Sequence, residues 1–255
     1  MNDFEARFGG IGRLYGSAGL EKLRRAHVCV VGVGGVGSWS VEALARSGVG
    51  ELTLIDLDEV CVTNVNRQLP ALDGAIGQPK VNVLASRIHA ISPECRVHAR
   101  MEFFTEETAE KFFSTRYDFV IDAIDSVANK GRLIARCHAA GIPLVVCGAA
   151  GGRRDATAVR VVDLAQATHD RLLQKVRESL RKEHGFPAAG RKFGVPCVCS
   201  SETPVYPQAD GTVCERRARG TSLRLNCENG FGTAAFVTGA FGFAAAGVAV
   251  SRLAA

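Results

Sequence analysis

Three groups of residues have types and spacings suited to chemistry on a nucleotide. The first is Gly32-Val-Gly34-Gly35-Val-Gly37. Glycines at this spacing let a backbone approach a phosphate closely, and a helix starting behind them offers free N–H groups and a positive dipole end. Asp56 ends the next apolar run, where an acid commonly hydrogen-bonds a ribose hydroxyl. The second group crowds Asp56, Asp58, Asn64, Arg67 and Gln68 into the stretch after that run, followed by Gly77-Gln-Pro-Lys80. Hydride transfer needs an apolar pocket for a nicotinamide ring, not cations and amides. Breaking a triphosphate needs Arg and Lys to meet developing charge. The third group is Asp122-Ala-Ile-Asp125-Ser126. Asp125 suits Mg²⁺, which takes one or two carboxylates and completes its shell with phosphates and water. Asp122 reads as a structural acid at a strand end.

These groups need elements that hold them on one edge. His27–Gly32 is a short apolar run ending in glycine, which reads as a buried parallel strand. A helix over 36–47 stops at Gly48, and a second strand runs from Glu51 to Asp56, which makes a βαβ unit. The alternation continues with a helix over 80–91, a strand over 96–101, a helix over 105–113, a strand over 118–122, a helix over 128–140 and a strand over 143–148. This pattern predicts an α/β Rossmann-type fold: a mostly parallel twisted sheet, helices on both faces, and a C-terminal extension. The expected units are an N-terminal arm (1–26), a nucleotide-binding domain (27–164) and a region (165–255) completing the same fold. A further strand is expected over 156–164, and the last region then reads as a basic helix over 168–184, a long crossing loop over 185–219 and an apolar helix. The uncharged stretch Phe231–Val250 is long enough to span a bilayer, but its glycines and alanines favour a buried helix covering the sheet. A peripheral membrane contact stays open.

The N-terminus is charged and lacks the apolar core of a signal peptide. Together with nine cysteines, an odd number, it points to reduced thiols in a cytoplasm. No Cys-x-x-Cys occurs, so zinc held by four thiolates is not expected. The net charge of +5 lies within residues 167–224, where eleven Lys/Arg face six Asp/Glu. A local basic surplus suits an anionic partner such as nucleic acid, and equally a solvated helix face.

Taken in order, GVGGVG, IDLDEVCVTNVNRQ, GQPK and DAIDS resemble the E1-like adenylating superfamily over roughly residues 7–150. The resemblance implies ribose binding by Asp56, ATP contacts from Asn64 and Arg67, phosphate binding by Lys80 and Mg²⁺ on Asp125. The sulfur-carrier activators of that superfamily carry paired Cys-x-x-Cys motifs that are missing here. The stretches 205–212 (VYPQADGT), 227–232 (CENGFG) and 7–16 (RFGGIGRLYG) instead resemble the tRNA threonylcarbamoyladenosine dehydratase family. What this implies is ATP-driven cyclisation of the threonylcarbamoyl group on tRNA carrying that modification, and a homodimer. It also marks Cys227 as a candidate sulfur acceptor for a cysteine-desulfurase system, with an inert buried thiol as the alternative. Many superfamily members carry R-[FY]-x-R, with an arginine serving the partner subunit's site. Gly10 stands at the second arginine here, which leaves Arg7 or Arg13 for that role. A monovalent cation, K⁺ or Na⁺, near the ATP stays open, as does activation of a ubiquitin-like or sulfur-carrier protein as the rival reaction.

Overall fold

A computed structural model describes residues 3–208, 210–215 and 231–255. Its centre is a seven-stranded sheet in the order β3-β2-β1-β4-β5-β7-β6. The strands are β1 (His27–Val31), β2 (Glu51–Ile55), β3 (Arg96–Arg100), β4 (Phe119–Asp122), β5 (Leu144–Cys147), β6 (Val159–Asp163) and β7 (Pro196–Ser200). All neighbours pair in parallel except β6 and β7. The inner strands HVCVV, FVID and LVVC are almost continuously apolar because helices cover both their faces. The edge strand β3 (RVHAR) is instead charged and largely exposed, which discourages pairing with another chain.

One face is packed by α2 (Gly37–Arg46), α3 (Lys80–Ile91) and α7 (Ala235–Ala254), with a core that includes Leu44, Leu84, Phe241 and Ala245. The other is packed by α4 (Glu106–Phe113), α5 (Val127–Ala139) and α6 (Arg171–Glu183), with Phe112, Leu133, Ile134 and Leu173. α1 (Asp3–Arg25) is broken at Gly16, whose φ of 76° and ψ of 162° are open to glycine and costly for other residues. Its aromatic pair Phe4 and Phe8 closes over Gly48.

The chain moves outward from β1 through β2 to β3, then returns to lay β4 on the opposite side of β1. The carboxyl ends of β1 and β4 therefore form a topological switch point, where ligands bind in open α/β sheets.

Two expectations need correction. The long crossing loop over 185–219 contains β7, a buried strand inserted between β5 and β6. The small ribbon of β8 (Tyr206–Pro207) and β9 (Val213–Cys214) follows it. Pro196 conceals β7 in the sequence, but proline is tolerated as the first residue of a strand. Cys197 and Cys199, which fall within that expected loop, are buried in β7, and burial pushes both thiols up from their ordinary range. The predicted strand over 156–164 begins three residues later, behind a short 3₁₀ turn capped by Asp155.

The apolar helix α7 is long enough to cross a membrane, yet Val237, Phe241, Ala245 and Ala249 are buried against the sheet and α2. Its sequence is apolar because it forms part of the core.

Candidate active site

The glycine loop joins β1 to α2, and its four glycines have two different reasons to be there. At Gly32, φ is +84° and a Cβ would lie 2.8 Å from the Ala123 carbonyl oxygen. At Gly37, a Cβ would lie 1.8 Å from the Gly32 oxygen. Both positions exclude a side chain on internal grounds. A Cβ on Gly34 would meet nothing nearer than Gln68 Nε2 at 3.8 Å, and one on Gly35 would make an ordinary 3.4 Å contact with Thr238. The protein itself leaves room at Gly34 and Gly35, so their bareness fits close approach of a ligand. Behind them, the N-terminus of α2 has no side-chain cap; Ser38 N is spent on the Gly34 carbonyl, and the helix's positive dipole end lies behind the loop, where it favours an anion.

Asp56 braces this loop. Its Oδ2 accepts from Val33 N at 2.8 Å and its Oδ1 from Asp58 N at 2.9 Å. Only 7% exposed, it has its carboxyl pushed up by burial against the opposing pull of these amides and Lys80. Lys80, at the first position of α3, donates from Nζ to Asp58 Oδ2 at 2.8 Å. Asn64 is buried and spends its Oδ1 on Cys61 N, closing the short turn that carries Arg67. Arg67 Nη1 donates to the Thr63 carbonyl and to Asn66 Oδ1. Gln68 is buried beside Gly34, and its Oε1 has no hydrogen-bond partner among the described residues.

The edge of β4 holds the third group. Asp122 is fully buried and accepts from Lys130 Nζ at 2.9 Å; Lys130 also donates to the Ile124 carbonyl at 2.8 Å. Burial raises the Asp122 carboxyl while Lys130 opposes it. This pair fixes the turn that projects Asp125, which is exposed and has no partner among the described residues. Ser126 starts α5 without a side-chain cap bond. The donor set fits Mg²⁺: one free carboxylate beside an anion cradle, with phosphates to complete the shell.

The structure thus gathers Gly32, Gly34, Gly35, Gly37, Asp56, Asp58, Asn64, Arg67, Gln68, Lys80, Asp125 and Ser126 around one edge of the sheet. It does not bring Arg13 there. α1 packs by Gly48, Ile91 and Ala254, at the far ends of α2, α3 and α7, so Arg13 lies away from its own glycine loop. Cys227 lies outside the described residues. Among the described cysteines, Cys29, Cys95, Cys137 and Cys147 are buried, and the last three have thiols pushed up to about 12 by burial, too high for a ready nucleophile.

Three supporting residues escaped the sequence reading. Lys130 looks like one charge on an amphipathic helix. Trp39 Nε1 and Thr238 Oγ1 both donate to the Arg67 carbonyl, at 3.0 and 3.1 Å, and so pin the arginine's backbone between α2 and α7. No local signal ties Thr238 to residue 67.

Comparison with known proteins agrees with this geometry. The ThiF family model matches residues 10–250. The tRNA threonylcarbamoyladenosine dehydratase of Escherichia coli K12 is 49% identical over 249 residues, covering 97% of this chain and 93% of the relative. Its counterpart in Haemophilus influenzae is 46% identical over 254 residues, covering 99% and 95%. The crystal structure of the E. coli enzyme in complex with ATP superposes with a TM-score of 0.88 at 45% identity, covering 99% of this chain and 96% of that one.

Proposed function

The chain belongs to the ThiF family, and from that membership we propose that it is an ATP-dependent enzyme that dehydrates N6-threonylcarbamoyladenosine in tRNA. The observation that carries the reading is the convergence of the open Gly34–Gly35 cradle, Lys80 and Asp125 on one sheet edge, in a chain similar to dehydratases over nearly its whole length.

A free carboxylate resists attack because its leaving group would be oxide. Transfer to the α-phosphorus of ATP makes an acyl adenylate and releases pyrophosphate. A nucleophilic atom of the same side chain then attacks the activated carbonyl, a proton is lost, and AMP leaves with the former carboxylate oxygen. The sum is loss of one water from the nucleoside. Ring closure is intramolecular, so proximity supplies much of its rate.

The protein's task is to meet phosphate charge. Lys80 and Arg67 supply cations, the glycine loop supplies N–H groups and the N-terminal end of α2 its positive dipole end, and Asp56 holds the loop against the ribose. Asn64 and Gln68 complete the nucleotide's polar surroundings. Asp125, next to Ser126, would hold Mg²⁺, which supplies further neutralisation of phosphate charge when bound. A test for K⁺ or Na⁺ near the phosphates is activity in each chloride salt at fixed ionic strength.

The basic helix α6 and the residues after it face tRNA in this reading, and binding should weaken steeply with salt. A homodimer is part of the proposal: Phe236 and Phe243 on α7 are 62% and 50% exposed, an apolar edge that a second copy would cover. Arg13 would then act on the partner's site. Location in the cytoplasm follows from the tRNA substrate, and α7 serves the core and dimer edge instead of a membrane. Transfer of sulfur to Cys227 is outside the chemistry above, and no zinc is needed.

The experiment that tests the proposal is mass spectrometry of nucleosides from tRNA carrying the modification, incubated with enzyme and ATP. Loss of 18 Da, dependent on ATP, supports it. ATP–pyrophosphate exchange driven instead by a small protein with a Gly-Gly tail would move the substrate from tRNA to protein.

A further inference from the structure

A second cavity lies on the same edge of the sheet and takes no part in the adenylation chemistry. It is an open cleft of about 270 Å³ walled by His169, Asp170, Arg171, Arg177, Tyr206 and Glu215, among others. Asp170 ties it to the end of β5 by accepting from Ala149 N at 2.7 Å, and Tyr206 follows the end of β7. In the order β4-β5-β7 these ends lie one and two strand spacings from β4, roughly 5–10 Å. The cleft is therefore close to the candidate active site without sharing its residues.

Its electrostatics are unbalanced. Arg177 Nη1 is buried with no hydrogen-bond partner among the described residues. Behind the wall, Arg153 is 3% exposed, and both its Nε and Nη1 are buried and unpartnered among the described residues. Its remaining Nη2 donates to the carbonyl of His169. Buried donors left unpaired are rare and call for a partner. Burial pulls both guanidinium groups down from their ordinary range, with nearby Asp170 opposing. Asp170 does not make the missing bonds: its oxygens accept from Ala149 N and Leu173 N, and neither is bonded to Arg153 Nε, Arg153 Nη1 or Arg177 Nη1. Glu215 is exposed at the rim. α6 begins here, so its positive end adds to the field. His169 is held at φ 54°, in the left-handed region that residues other than glycine seldom occupy, and such strain gathers at ligand clamps.

We propose that this cleft is a phosphodiester site, in which Arg177, backed by Arg153 and flanked by Arg171, takes one backbone phosphate of the RNA beside the reacting nucleoside. Guanidinium groups suit this task because their fork matches two phosphate oxygens. The inference rests on the tRNA reading above.

The test is binding of the full chain to two anticodon stem-loop RNAs across a salt series. They are identical except that one carries threonylcarbamoyladenosine and the other plain adenosine. Arg177→Gln is expected to weaken both by the same factor, about tenfold, and to lower the salt slope by about one. Arg177→Lys should recover part of the affinity. ATP binding by each variant reports whether it is folded; if Arg177→Gln fails that check, Arg171→Gln, at an exposed position, is read in its place. A loss confined to the modified RNA would assign the cleft to the threonyl carboxylate and overturn the proposal, as would unchanged affinity for both. If the wild-type chain binds neither RNA, the tRNA reading falls, and this inference with it.

Discussion

Lys80 Nζ lies 2.8 Å from Asp58 Oδ2, and the two side chains differ sharply in burial, at 5% and 55%. The lysine stem is enclosed by the start of α3 while its charge meets an acid that solvent already reaches. Asp58 stays solvated if it turns away, but the buried lysine then needs another anion, and in the proposed function a phosphate takes that place. Lys80→Ala is expected to lower the rate of pyrophosphate release at least a hundredfold with little change in melting temperature. Stopped-flow pyrophosphate detection and a thermal melt check the two halves of that statement, and wild-type turnover would remove Lys80 from the mechanism.

The glycine loop predicts a contrast between two equally small substitutions. Gly34→Ala has space, so the chain should fold normally and lose affinity for ATP. Gly37→Ala places a Cβ against the Gly32 carbonyl, so the loop must move and the fold should weaken by about 1–3 kcal/mol. Calorimetric titration with ATP alongside denaturant unfolding separates these effects. Equal loss of stability in both variants would show that Gly34 is bare for internal reasons.

Asp122 and Lys130 form an ion pair with neither side chain exposed. Removing one partner leaves a buried charge alone, at a cost of about 3–5 kcal/mol. Lys130→Met should therefore destabilise the chain severely, and adding Asp122→Asn should restore much of the loss. A double-mutant cycle in urea reads the coupling. Additive losses would mean that the two groups do not depend on each other.

Glu42 on α2 accepts from Arg87 on α3 and from Arg46. Burial raises its carboxyl, but the two arginines outweigh that and hold it below its ordinary value of 4.5. An acid depressed in the folded state contributes stability above its unfolded pKa and loses it as pH falls through the folded one. The gap in stability between wild type and Glu42→Gln should thus be about 1–2 kcal/mol near pH 7 and close below pH 4.5. Unfolding curves at pH 7, 5 and 4 measure it, and a gap independent of pH would contradict the ion-pair account.

Much of the fold was legible because its signals are local. The apolar run 27–31, the glycines behind it and Asp56 announce one βαβ unit, and the later strands repeat the pattern. The residues proposed for the nucleotide site could be picked out for the same reason, each lying just past a readable strand. β7 was not, since five residues opening with Pro196 have neither length nor periodicity to distinguish them from loop. The cradle around Arg67 was invisible because Thr238 approaches it from a distant helix. The arginines at the second cleft were equally hidden. Arg153 and Arg177 read as ordinary charges, and only the packed chain shows Arg153 Nε and Nη1 and Arg177 Nη1 buried without partners among the described residues.

The measurement that bears most directly on the central claim is the nucleoside mass from modified tRNA after incubation with this enzyme, in parallel with and without ATP. The account predicts an 18 Da loss from threonylcarbamoyladenosine only with ATP, matched one for one by AMP. An unchanged nucleoside in the presence of ATP and Mg²⁺, with a folded enzyme that binds the nucleotide, would contradict it.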